Sequence, residues 1–130
     1  SQFTCACDYR VDMSVYAVIY NDGNLLPQHF KHECHKDGWV PLIVLREQNG
    51  NTTLPLFYNK DVAHKFMKRN LPSNVTKGIL TLKDEDEDEL RKKGWDIRFF
   101  TWPNKFVDHP KYKIDLEIIE IDELGYETYR

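Results

Sequence analysis

Residues 39–58, WVPLIVLREQNGNTTLPLFY, decide the fold. Two β-rich apolar runs, Trp39–Arg46 and Thr52–Tyr58, flank the polar segment Glu47-Gln48-Asn49-Gly50-Asn51. Asn49-Gly50 supplies two residues that accept positive φ, so a type I′ turn closing a β-hairpin is expected. Pro41 and Pro55 have no amide to donate. Each is therefore expected at an edge, a bulge or a strand end, leaving one side of the hairpin partly unpaired.

Upstream of the hairpin, Val15–Tyr20 (VYAVIY) is apolar on both alternating faces and ends at Asn21-Asp22-Gly23, a turn signal. That pattern suits an interior strand covered on both sides. Downstream, Asn59–Asn70 reads as a helix. Asn59 is placed to cap it, Asp61 and Lys68-Arg69 suit its two dipole ends, and Val62, Ala63, Phe66 and Met67 form one apolar stripe. Leu71-Pro72 ends it. Gly78–Leu82 reads as a strand. Asp84–Lys93 reads as a short, exposed helix anchored by Leu90 and stopped by Gly94 at the favoured C′ position.

Two further strands follow, Trp95–Trp102 and Tyr112–Ile121. The second alternates, with Tyr112, Ile114, Leu116 and Ile118 inward, until Ile118-Ile119 breaks the pattern and predicts a bulge or twist. The order predicts an α+β fold: a mixed or mainly antiparallel sheet of five to six strands, with two or three helices packed on one face. Residues 13–130 read as a single compact domain. Residues 1–12, ahead of Met13-Ser14, read as an N-terminal arm: a flexible tail, a non-native leader or an alternative start.

Composition narrows the function classes. Of 130 residues, 41% are hydrophobic and 30% charged, which excludes whole-chain disorder. Seven Phe, seven Tyr and three Trp are more large aromatics than one modest core requires. The net charge of −3, with acids concentrated at Asp84–Glu89, disfavours non-specific duplex DNA binding. No apolar run approaches the ~20 residues needed to span a bilayer, so no membrane association is expected. With three cysteines and no signal-peptide layout at residue 1, the chain reads as a cytoplasmic protein with reduced thiols.

Three constellations are candidates for chemistry or binding. Cys5 and Cys7, with His29, His32, Cys34 and His35, carry the thiolates and imidazoles that zinc takes tetrahedrally. A histidine-rich polar surface segment is the preferred reading of that cluster, and no cofactor is expected. Lys65, Lys68, Arg69 and Arg98 form the largest basic surface, and Phe100 and Trp102 beside Arg98 could stack single-stranded bases. Phe100, Trp102 and Phe106 are candidate interface anchors, with Trp102, Pro103 and Phe106 in a loop.

Adjacency of Cys34 and His35 does not make a nucleophile pair, because neighbouring side chains point in different directions. The run Asp84–Glu89 lacks the glycine and distal glutamate of an EF-hand calcium loop. No Gly-rich phosphate loop, Gly-x-Ser-x-Gly elbow or His-Glu-x-x-His motif occurs. The chain is therefore expected to be a non-catalytic binding or regulatory module that takes a protein partner. Zinc binding and single-stranded nucleic-acid binding are the alternatives.

Overall fold

The computed structural model describes residues 14–21, 39–120 and 125–129. Along the chain run β1 (Val15–Asn21), β2 (Trp39–Glu47), β3 (Thr52–Leu56), α1 (Lys60–Asn70), β4 (Thr76–Leu82), α2 (Asp84–Lys92), β5 (Asp96–Phe99), β6 (Tyr112–Glu120) and β7 (Gly125–Tyr129). Residues 1–12, read as an N-terminal arm, and the polar stretch between β1 and β2, which reads as irregular or helical, lie outside the described residues.

The strands form one seven-stranded sheet in the order β5-β3-β2-β1-β4-β7, with β6 paired to the remaining edge of β2. All pairings are antiparallel except β3 with β5. The α+β class and the mainly antiparallel sheet hold as read. β7, GYETY, adds a strand that the sequence reading passed over, and it pairs with β4 from Lys77↔Tyr129 to Thr81↔Gly125.

The hairpin forms, but through a different turn. Gly50 donates to Glu47 O at 3.0 Å and Glu47 donates to Asn51 O at 2.8 Å, so three residues make the loop. Gly50 takes φ +92°, whereas Asn49 is not among the positive-φ residues. Asn49 Oδ1 instead accepts from the Asn51 amide at 3.0 Å. A three-residue loop with glycine in the left-handed position closes a hairpin as well as type I′ does, and it strains only one residue.

Beyond the turn the hairpin splays, and β1 enters the fork. Tyr16 of β1 and Phe57, just past the end of β3, exchange two backbone hydrogen bonds of 2.8 and 2.9 Å, while Ile19 registers with Leu42 on β2. Both prolines face this fork rather than an outer edge. The Glu47 bond shows that odd-numbered residues of β2 turn toward β3 and β1. Pro41 thus withholds a donor from the β1 side, where pairing is limited to Ile19↔Leu42. Thr53 of β3 pairs with β2, Phe57 just past β3 bridges to β1, and Pro55 falls at the handover between them.

β1 alternates between two cores. Val15, Ala17 and Ile19 join Leu42, Val44, Leu54, Leu56, Leu80 and Leu82 on one face, covered by Leu90 of α2. Val18 and Tyr20 join Ile43, Leu45, Phe57 and Ile79 on the other, covered by Ala63, Phe66 and Met67 of α1. The helices therefore pack on opposite faces, not on one. The reason is that β1, β2 and β4 are apolar on both sides, and each side requires cover. Full burial of one such aliphatic side chain contributes roughly 1.5–3 kcal/mol.

Tyr112–Glu120 pairs with β2 without interruption from Glu47↔Tyr112 to Trp39↔Glu120, so no bulge occurs at Ile118-Ile119. The broken alternation has another cause: Ile119 is buried in the α2-side core, and Ile118 is half-buried opposite it. Both faces of the sheet are covered at that end of β6.

Both helix ends follow the sequence signals. Asn59 Oδ1 accepts from Asp61 and Val62 amides at 2.8 and 3.1 Å. At the end of α2, Gly94 takes φ +94° and donates to Arg91 O, while Trp95 donates to Leu90 O at 3.1 Å. These are the paired bonds of a Schellman motif, and Trp95 packs against the same core as Leu90. A Cβ at Gly94 would meet nothing within 4 Å, so only backbone strain opposes substitution. Gly94→Ala is expected to cost about 1 kcal/mol in urea unfolding, with an unchanged denaturant slope.

Candidate interaction surface on the segment after β5

Read as a strand to Trp102, the chain leaves β3 after Phe99, because β3 itself ends at Leu56. A last bond from the Phe100 amide to Leu56 O at 2.9 Å closes the pairing. The segment that follows lies along α1, and its residues alternate between anchoring and exposure.

Asn70, buried at the end of α1, is the anchor. Its Nδ2 donates to Phe66 O and to Asn104 O, each at 2.8 Å, and its Oδ1 accepts from the Phe106 amide at 2.6 Å. Arg69 adds a bond from its guanidinium to Pro103 O at 3.1 Å. One amide side chain thereby satisfies backbone groups on both elements, which burial would otherwise leave costly.

Phe100 and Phe106, predicted as interface anchors, are both only 7% exposed. They belong to the α1-side core, with ring centroids 5.7 Å apart and each about 6 Å from Phe66. The physical reason is that α1 covers only part of this sheet face, and the two rings fill the remainder. Phe106 also meets His109 and Tyr112, at 5.5 Å each. Neither phenylalanine is presented to a partner or to a nucleic-acid base.

Trp102 is the exception, at 66% exposed, the largest value among the exposed large hydrophobics. Pro103 beside it is buried, so the indole stands on a backbone whose next residue is held. Val107 is 42% exposed on the same segment.

The predicted basic residues are all exposed, but they are not equivalent. Lys65 pairs with Asp61 at 3.1 Å one turn away, an exposed pair worth about 0.3–0.5 kcal/mol. Lys68 points to solvent, and Arg69 holds the segment. Arg98 lies with its guanidinium carbon 5.2 Å from the Phe100 ring centroid, which keeps its charge over the segment. Lys105 is exposed two residues beyond Pro103. Sequence reasoning left out Asn70, since a polar residue at a helix end carries no signal that another segment will need it.

Two shallow cavities flank His109. One of about 360 Å³ includes Asn70, Phe106, Asp108 and Tyr112 in its wall. The other, of about 280 Å³, includes Arg46, Glu47, Pro110 and Lys111. His109 Nδ1 accepts from the Lys111 amide at 3.0 Å, which leaves that nitrogen occupied by a turn. No group of three or more candidate metal ligands occurs among the described residues. Cys5, Cys7, His29, His32, Cys34 and His35 all lie outside them.

On the opposite sheet face, Arg46 reaches Asp115 Oδ2 at 2.9 Å, Glu117 Oε1 at 2.8 Å and Thr52 Oγ1 at 2.8 Å. The hydrogen bond to Glu117, then that to Asp115, raise its pKa above the ordinary value, so it stays charged at every pH compatible with folding. The group ties β6 to the hairpin.

Asn70→Ala removes three bonds and leaves buried backbone groups unpaired. It is expected to cost about 2–3 kcal/mol in urea unfolding. It should also accelerate amide exchange at Phe106 more than at Met67, because the segment is released while the helix persists.

No family model, curated protein or solved structure matches the chain.

Proposed function

We propose that the chain is a non-catalytic binding or regulatory module that holds a protein partner through the surface centred on Trp102. The observation that carries this reading is an indole 66% exposed on a backbone pinned to α1 by Asn70 and Arg69. Covering a large exposed aromatic removes apolar area from water and so favours association. Holding it on a fixed backbone reduces the ordering that binding would otherwise cost.

The rim favours a partner with an acidic face. Arg69, Arg98 and Lys105 are exposed around the segment, and Trp and Arg are the residue types enriched among energetic anchors. Charges at such a rim steer encounter and select register more than they add affinity. Stacking of single-stranded nucleic acid is less well supported, because Phe100 is a core ring and Trp102 alone would remain as a platform.

Capture from a native lysate, with and without nuclease, tests the proposal by comparing the wild-type chain with Trp102→Ala. A nuclease-resistant protein partner retained by the wild type is expected to bind the variant at least about thirtyfold more weakly, the loss of one anchor of roughly 2 kcal/mol. Unfolding of Trp102→Ala should stay within about 0.5 kcal/mol of wild type, as for an exposed site. Phe106→Ala is the contrast, and should lose about 3–5 kcal/mol as a core truncation. Equal capture by wild type and Trp102→Ala would remove the proposal, and nuclease-sensitive capture would favour the nucleic-acid alternative.

A further inference from the structure

β6 pairs with β2 over nine residues, and among the described residues no strand pairs with its other edge. The phase of its backbone groups follows from the hairpin. Even-numbered residues of β2 turn toward β6, and the register sets Val44 against Asp115 and Leu42 against Glu117. The amides of Tyr112, Ile114, Leu116 and Ile118 therefore point outward. Such a row is a template for another strand, and natural sheets cover or charge it.

One of these outward donors is covered from within. The Leu116 amide donates to Oδ1 of Asp115 at 2.8 Å, while Oδ2 of the same carboxylate is held by Arg46 Nε at 2.9 Å. Arg46, fixed further by Thr52 and Glu117, keeps the carboxylate on the strand.

We infer that Asp115 is a guard that keeps β6 from pairing with β6 of a second copy of this chain. The rest of the strand suits that pairing. A two-fold axis through Asp115 sets Lys113 opposite Glu117, Ile114 opposite Leu116 and Tyr112 opposite Ile118. It joins opposite charges and extends the half-buried apolar row of each copy. Ile114 and Leu116 would occupy the hydrogen-bonding positions, in phase with their outward amides.

Asp115 opposes the arrangement twice. Its carboxylate occupies the Leu116 donor that the second strand needs. The axis also sets it against its own copy in a non-hydrogen-bonded pair, where Cα atoms approach to about 4.5 Å and like charges destabilise.

Sedimentation velocity over a wide concentration range, on wild type and Asp115→Ala, tests the guard. Arg46 keeps Glu117 and Thr52 in that variant. The wild type is expected to remain monomeric and Asp115→Ala to dimerise at least about tenfold more tightly. Adding Ile114→Pro, which deletes an outward donor without touching the β2 ladder, should return the variant to monomer. A folded Asp115→Ala that stays monomeric, a dimer that survives Ile114→Pro, or a wild type already paired through β6 would each overturn the inference. Should Asp115→Ala not fold, amide exchange in the wild type decides. Leu116 should exchange more slowly than Ile114, and equal rates would overturn the guard.

Discussion

The fork between β2 and β3 is the constraint on which the other elements depend. A hairpin that stayed zipped to its ends would leave β1 a place only at an outer edge, away from the central position where both of its apolar faces are covered. Pro41 and Pro55 interrupt the donors along the fork, and β1 enters with bonds from Tyr16 to Phe57 just past β3 and register to β2 at Ile19. Once there, β1 places apolar side chains on both faces of the sheet, so both faces need cover. α1 and α2 follow on opposite sides, and β4 extends the sheet from the free edge of β1 over seven residue pairs.

Cover on the two faces is unequal in kind. α2 contributes Leu90 as its one buried side chain, and the Schellman turn then delivers Trp95, with β5, to the same core. α1 buries Ala63, Phe66, Met67 and Asn70, yet still leaves part of its face to be filled by Phe100 and Phe106. Asn70 resolves the polar consequence. A segment without regular structure brings unpaired backbone groups into a core, and a single carboxamide can both donate and accept. The same device sets Trp102 outward, because the buried residues on either side of it are Phe100 and Pro103.

Two surfaces therefore carry opposite designs. The Trp102 segment exposes an aromatic ring with cations beside it, and its backbone is held in advance. Among the described residues no strand pairs with the outer edge of β6, and a carboxylate anchored by Arg46 covers one of its donors. Under the proposed function, a surface of the first kind takes a partner that supplies acids and an apolar recess. A surface of the second kind resists association with a copy of itself.

Most of the fold was legible in the sequence because local signals and burial agreed there. The helix cap at Asn59, the Gly94 stop, the amphipathic stripe of α1 and the apolar strands each depend on near neighbours in the chain. They determined the α+β class and the mainly antiparallel sheet. The sequence also named Trp102 as a candidate anchor, and it is exposed because the chain leaves the sheet after Phe99, short of the strand end read at Trp102. Tertiary structure alone decided which aromatics were core. Phe100 and Phe106 look like surface residues locally, and become core only because α1 is too narrow to cover its sheet face. It alone placed the prolines at an internal fork, set the helices on opposite faces and gave Asn70 and Asp115 their roles. Those outcomes rest on contacts between residues dozens of positions apart, and local spacing carries no record of such contacts.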